Sequence, residues 1–102
     1  MKVELLYFDG CPGYEALRPR VERMLAERGL DGLELVPIGS VDEAEARRFF
    51  GSPSLRVDGR DVEPGAAERT DFGMKCRVYA SADGLTPTPS DAAIAAALDA
   101  AG

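Results

Sequence analysis

Two cysteines carry the nucleophilic potential of this chain, and it contains no histidine to assist them. The first stands in Asp9-Gly10-Cys11-Pro12-Gly13-Tyr14, between an apolar run and a segment of helical period. That puts Cys11 at or just before a helix N-terminus, with Pro12 at the first helical position, where a missing N–H is no loss. Unpaired amides of the first turn are expected to face the sulfur, and the positive end of the helix dipole adds to them. Both favour thiolate over thiol. A thiolate is a nucleophile and a soft-metal ligand. Taken without its surroundings, Cys11 could equally be a small buried apolar residue at a turn. Cys76 lies in Gly73-Met74-Lys75-Cys76-Arg77-Val78-Tyr79, where the flanking cations also favour a thiolate. It could resolve a mixed disulfide on Cys11, share a soft metal with it, or pack as an apolar residue on a short strand. A direct link needs Cα atoms within about 7 Å. Tyr14, one helical turn after Cys11, could offer its hydroxyl to the sulfur or to a substrate, or pack on the helix shoulder. Asp9 could shuttle a proton or simply close the strand.

Other chemistries are excluded by residue type. Without histidine there is no Ser-His-Asp relay, no Cys–His pair and no His-ligated metal within the chain. Two cysteines cannot build a four-thiolate zinc site. Among 102 residues, 12 basic side chains against 18 acidic ones give a net charge of −6, the wrong sign for a nucleic-acid footprint. No apolar run is long enough to span a bilayer. The chain enters a patterned segment at once, without the charged start, apolar stretch and cleavage site of a signal peptide. The expectation is a soluble cytoplasmic protein. In a reducing compartment its cysteines are catalytic, metal-binding or inert rather than a permanent staple.

The elements that must position these residues follow from period and punctuation. Val3-Glu4-Leu5-Leu6-Tyr7-Phe8 reads as a buried strand closed by Asp9-Gly10. From Pro12 to Arg28, Leu17, Val21, Met24, Leu25 and Arg28 share one helix face, and Gly29 is the stop. Pro19 inside that run predicts a bend near Glu15–Leu17 rather than two helices. Residues 33–38 read as a second strand, which Pro37 places at an edge or at its own end. Ser40-Val41-Asp42-Glu43 is a capping box opening a helix to about Phe50, with Val41, Ala44, Arg48 and Phe49 near one face and Gly51 as its end. Ser54–Val57 and Val62-Glu63 read as strands joined through Asp58-Gly59, a hairpin signal. Residues 64–89 read as an irregular insertion, with Cys76–Tyr79 as a short extended piece and Thr86–Pro89 as a stiff link. Ser90 and Asp91 cap a last helix along Ile94, Ala97, Leu98 and Ala101. The order is β-α-β-α-β-β-α: one α/β domain with a mixed four-stranded sheet and helices on both faces.

Three features in this order make the chain resemble the thioredoxin and glutaredoxin superfamily. Cys11-Pro12-Gly13-Tyr14 is similar to its active-site turn, with tyrosine where the second cysteine stands. Pro19 resembles its helix-kinking proline. Gly51-Ser52-Pro53-Ser54-Leu55 resembles its cis-proline loop. The phrases Leu6-Tyr7-Phe8-Asp9-Gly10-Cys11-Pro12 and Val57-Asp58-Gly59-Arg60-Asp61-Val62-Glu63-Pro64-Gly65 look closer still to small bacterial thioredoxin-like proteins, some with selenocysteine at the nucleophile and some labelled as related to alkylmercury lyase. The resemblance spans residues 2–63 and 90–101.

It implies a thiol–disulfide oxidoreductase-like protein in which Cys11 forms mixed disulfides. Pro12 and cis-Pro53 would shape the substrate groove, and Ser52 would hold an extended substrate by its backbone. Tyr14 breaks the two-cysteine turn, so the resolving thiol would come from Cys76, from a partner, or from glutathione or another small thiol acting as reductant. No bound cofactor or metal is implied. The partner would be a thiol or disulfide substrate, not a nucleic acid or a membrane. Two other readings stay open. Cys11 and Cys76 could handle a soft metal or an organomercurial, although the chain is about half as long as the lyases. Alternatively, the fold could serve as a non-catalytic binding module, since fold alone does not prove chemistry. Arg56 and Arg60 could attract an acidic thiol, surface charge being the plainer reading. Gly65-Ala66-Ala67 resembles an anion loop only loosely.

Overall fold

A computed structural model describes residues 1–30, 32–81 and 84–101. The elements in chain order are β1 (Val3–Tyr7), α1 (Pro12–Glu27), β2 (Glu34–Pro37), α2 (Val41–Ala46), β3 (Ser54–Val57), β4 (Arg60–Asp61), a 3-10 turn at Ala66–Glu68, β5 (Tyr79–Ser81), β6 (Gly84–Thr86) and α3 (Asp91–Ala101). Four strands form one mixed sheet in the order β2-β1-β3-β4, and β5 pairs with β6 separately. β1 runs parallel to β2 and antiparallel to β3, and β3 runs antiparallel to β4.

β1 can be apolar on both faces because both faces are covered. Leu5 points into a cluster with Leu17, Val21 and Leu25 of α1, Leu55 and Val57 of β3, and Ile94 and Leu98 of α3. Leu6 points the other way, to Ile38, Ala44 of α2 and Phe49. Thus α1 and α3 cover one face of the sheet and α2 the other. Each fully buried Leu, Ile or Val contributes about 1.5–3 kcal/mol relative to leaving it exposed.

Both helix ends at the sheet's rim are Schellman motifs, and only one announces itself in the sequence. After α1, Gly29 takes φ +70°, Leu30 N–H reaches Leu25 O at 2.8 Å and Gly29 N–H reaches Ala26 O at 3.0 Å. Pro19 sits inside α1 without dividing it. α2 stops at Ala46, well short of Phe50. Phe49 N–H returns to Ala44 O at 2.8 Å and Arg48 N–H to Glu45 O at 3.2 Å. The left-handed position is held by Arg48, φ +54°, where a glycine is usual, so Gly51 is not the stop. Phe49 is thereby turned into the core, while Val41 remains 57% exposed. The N-cap is as expected, with Ser40 Oγ accepting from Glu43 N–H at 3.1 Å.

The hairpin between β3 and β4 is tighter than its reading. Asp58 and Gly59 both have positive φ, as a two-residue type I′ turn requires, and pairing resumes at once with Val57 opposite Arg60. β4 is therefore Arg60–Asp61 rather than Val62-Glu63. Pro37 does lie on an edge strand, β2. The described residues of 64–89 carry more regular structure than expected. Thr86 ends β6 instead of starting a link, and β5 begins at Tyr79, with Cys76 outside it. No helix of the described residues is long and apolar enough to cross a membrane.

Candidate functional site

Cys11 is the N-cap of α1, with extended backbone (φ −77°, ψ 115°), and Pro12 occupies the first turn. Its carbonyl accepts from Glu15 N–H at 3.2 Å. The side chain makes no capping hydrogen bond, so the expected coordination of the sulfur by the first-turn amides is not present. Cys11 is 2% exposed, whereas Cys76 is exposed; both thiols are free.

The Ser52–Pro53 bend packs beside this turn. The peptide is cis. A Cβ built on Gly13 would come within 2.9 Å of Pro53 Cδ and 3.2 Å of Pro87 O, so only glycine lets α1 approach so closely. Ser52 Oγ accepts from Phe8 N–H at 3.3 Å, tying the bend to the end of β1. The turn bearing Cys11 and the bend bearing Pro53 are thus packed against each other at Gly13, two residues from Cys11 along the chain, and Cys11, Ser52 and Pro53 are all buried.

The backbone of Ser52 is not free for a substrate. Its N–H donates to Lys75 O at 2.8 Å, and its carbonyl accepts from Arg77 N–H at 2.9 Å. These bonds form a parallel bridge that sets Cys76 opposite Ser52. Gly51 makes room for this contact, since a Cβ there would lie 2.8 Å from Lys75 O. Gly73 N–H adds a bond to Phe49 O at 2.9 Å. Residues 73–77 therefore run as a strap along the bend, in the place where the sequence reading put a substrate strand.

Arg77 and Tyr79 clamp the strap. Arg77, 2% exposed, donates to Asp61 Oδ2 at 2.6 Å and Oδ1 at 2.7 Å, to Ser54 Oγ at 2.9 Å and to Glu63 Oε1 at 3.2 Å. Its Nε is buried and has no partner among the described residues. The guanidinium lies 4.4 Å from the Tyr79 ring centroid and 5.4 Å from that of Phe50. Burial is the largest influence and works against its charge, but the Asp61 hydrogen bonds together with the charges of Tyr79, Asp61 and Glu63 hold the pKa above the ordinary value. Tyr79 Oη donates to Pro53 O at 2.6 Å. Lys75 is paired with Asp71 at 2.8 Å. The two cations beside Cys76 are therefore both paired with carboxylates.

Tyr14 does not turn toward Cys11. Its ring stacks on Tyr7 at 3.8 Å and 6°, and its hydroxyl accepts from Arg18 Nη1 at 3.3 Å. The Tyr7 phenol is pushed up by burial and by Tyr14. Asp9 is exposed and lines a groove of about 370 Å³ with Phe8, Ile38, Gly39 and Met74. Among the described residues no group of three His, Cys, Asp or Glu side chains could hold a metal.

The structure thus sets Gly13, two residues after Cys11, against Pro53 and sets Cys76 opposite Ser52, while Tyr14 is engaged with Tyr7 and Arg18. The clamp of Arg77, Asp61 and Tyr79 was missed. A signal exists for it. Residues 76–80 alternate exposed and buried, with Arg77 and Tyr79 on the inward phase. A lone arginine on that phase reads as surface charge until Asp61 is known to face it. No family model, curated protein or solved structure matches the chain.

Proposed function

We propose that the chain is a thioredoxin-type thiol–disulfide oxidoreductase whose working pair is Cys11 and Cys76. The observation that carries this reading is that the Ser52–Pro53 bend meets both the helix turn that begins at Cys11 and the segment that holds Cys76. Cys11 arrives through Gly13 against Pro53, and Cys76 through its bridge to Ser52. The sheet order β2-β1-β3-β4, with one parallel and two antiparallel pairings, α1 and α3 on one face and α2 on the other, supports a thioredoxin-like topology.

In this scheme the Cys11 thiolate attacks one sulfur of a substrate disulfide. A Cys11–substrate bond forms and the other substrate sulfur leaves as thiolate, taking a proton from water. The Cys76 thiolate then attacks Cys11 Sγ, forming Cys11–Cys76 and releasing the second substrate thiol. The substrate disulfide is reduced by two electrons and the protein dithiol oxidised by two. Glutathione or another small thiol restores the dithiol by the reverse exchange. Tyr14 has no role in this scheme, and Cys76 supplies what the Cys11–Tyr14 turn lacks.

The test is mild oxidation of the purified chain with diamide, followed by non-reducing peptide mapping. The expected product is a monomer with a Cys11–Cys76 link, and Cys76→Ser should instead trap mixed disulfides on Cys11. Oxidation that yields only dimers through Cys76, with Cys11 still free, overturns the pairing.

A further inference from the structure

On the α2 face lies a cavity of about 730 Å³ between the end of α2, the β3–β4 hairpin and the 65–67 turn, lined by none of Cys11, Ser52, Pro53 and Cys76. That is the size of a small-molecule site. In a chain of net charge −6 its wall is cationic, carrying Arg48, Arg56 and Arg60. None of the three has a carboxylate partner among the described residues. Arg56 spends Nη2 on the carbonyls of Arg47 and Arg48, at 2.6 and 2.8 Å, which caps the end of α2. Its other donors have no protein partner there. Among the described residues the Arg48 side chain donates only to Ala67 O, at 3.4 Å, and it lies over the Phe72 ring. The Arg60 side chain is exposed and makes no bond among the described residues.

Two carboxylates also line the wall, but both are engaged. Asp61 is held by Arg77, and Glu63 by Arg69 at 2.9 Å and Arg77 at 3.2 Å. The uncompensated charge is therefore that of the three arginines. Burial lowers the Arg56 pKa, Asp61 and Glu4 oppose this, and the neighbouring Arg77 and Arg47 lower it further, as expected where cations crowd. Phe50, Pro64 and Ala66 supply an apolar floor. Guanidinium forks match planar or tetrahedral oxyanions in bidentate fashion.

We infer that this cavity binds a small organic molecule bearing at least two oxyanion groups, held by Arg48, Arg56 and Arg60. The shared chemistry is a pair of oxyanions, from phosphoryl groups or from carboxylates. None of the three arginines contacts Cys11, Cys76 or the Ser52–Pro53 bend among the described residues, so either reading can fall without the other.

The experiment is calorimetric titration and thermal denaturation of the full chain at low ionic strength, with pyrophosphate and malonate as probes and sodium chloride at matched ionic strength as control. Saturable one-to-one binding with a raised melting temperature is expected, the preferred probe identifying phosphoryl or carboxylate groups. Arg60→Ala removes a side chain with no structural partner. It should weaken binding about tenfold, the worth of one charge-assisted hydrogen bond, and leave the melting temperature of the free protein unchanged. Arg23→Ala, at an exposed arginine of α1, should bind as the wild type does. The inference is overturned by the same stabilisation in sodium chloride, by undiminished binding to Arg60→Ala, or by equal weakening in Arg23→Ala.

Discussion

Tyr79 shows how one side chain can hold a bend and a strap together. Its ring is 4% exposed, lies against Arg77, and its hydroxyl is spent on the carbonyl of Pro53. Burial is the main reason its pKa stands well above the ordinary 10.0; Arg77 pulls it down, and Asp61 and Glu63 push it up. The folded state thus resists ionisation of this phenol while the unfolded chain does not. The stability it supports is fully present below the ordinary tyrosine value and is lost as pH rises from there toward the raised folded value. Tyr79→Phe should lose about 1–3 kcal/mol at neutral pH, because Pro53 O is left without its donor. It should also show a shallower loss of stability in alkali than the wild type, read from urea unfolding at a series of pH values. Equal alkaline slopes would show that Tyr79 does not govern that limb. The other tyrosines, Tyr7 and Tyr14, are common to both proteins and cancel.

The strap of residues 73–77 depends on an absent side chain as much as on present ones. Gly51 stands at φ +131°, where L side chains are strained, and any Cβ would meet the Lys75 carbonyl at 2.8 Å and Arg77 Cβ at 3.2 Å. Gly51→Ala should destabilise the protein by about 1–3 kcal/mol through overpacking and backbone strain. It should do so locally. Proteolysis within 73–77 and alkylation of Cys76 should both accelerate, with helix content by circular dichroism unchanged. Loss of all structure at once would mean that the strap and the sheet unfold as one unit. The same contrast explains why α2 is shorter than its pattern suggests. Its end is fixed by Arg48 in the left-handed conformation and by the burial of Phe49, not by the glycine that follows.

The ion pair of Arg77 with Asp61 joins parts of the fold that are distant in sequence, the β3–β4 hairpin and the strap. Its side chains are 1% and 6% exposed. A buried pair of this kind is weak evidence of net stabilisation, because desolvation offsets attraction, but breaking it leaves the buried Arg77 with only the longer contact to Glu63, at 3.2 Å, to balance its charge. Asp61→Ala should therefore cost about 3–5 kcal/mol, a large share of the roughly 5–15 kcal/mol that a domain has. The double variant Asp61→Leu with Arg77→Met should recover much of that loss. Urea denaturation with an unchanged slope would measure both. A single variant as stable as the wild type would mean that water or a rearranged strap reaches Arg77.

What local pattern could specify was readable without coordinates. Apolar period gave β1, α1 and α3, the capping box placed the start of α2, Asp58-Gly59 located the hairpin, and Cys11 fell at the start of a helix as its neighbours required. These features depend on residues within a turn or two of each other, where steric preference and backbone hydrogen bonding act directly. The strap, the pairing of Ser52 with Lys75 and Arg77, the withdrawal of Tyr14 onto Tyr7 and the clamp on Asp61 all required the folded chain. Each joins partners with weak or misleading local signals, and two of them use polar residues that look solvent-facing in sequence. Only packing brings a guanidinium to its carboxylate across 16 positions. Only that closure decides that the second thiol lies at the bend and not in a loose insertion.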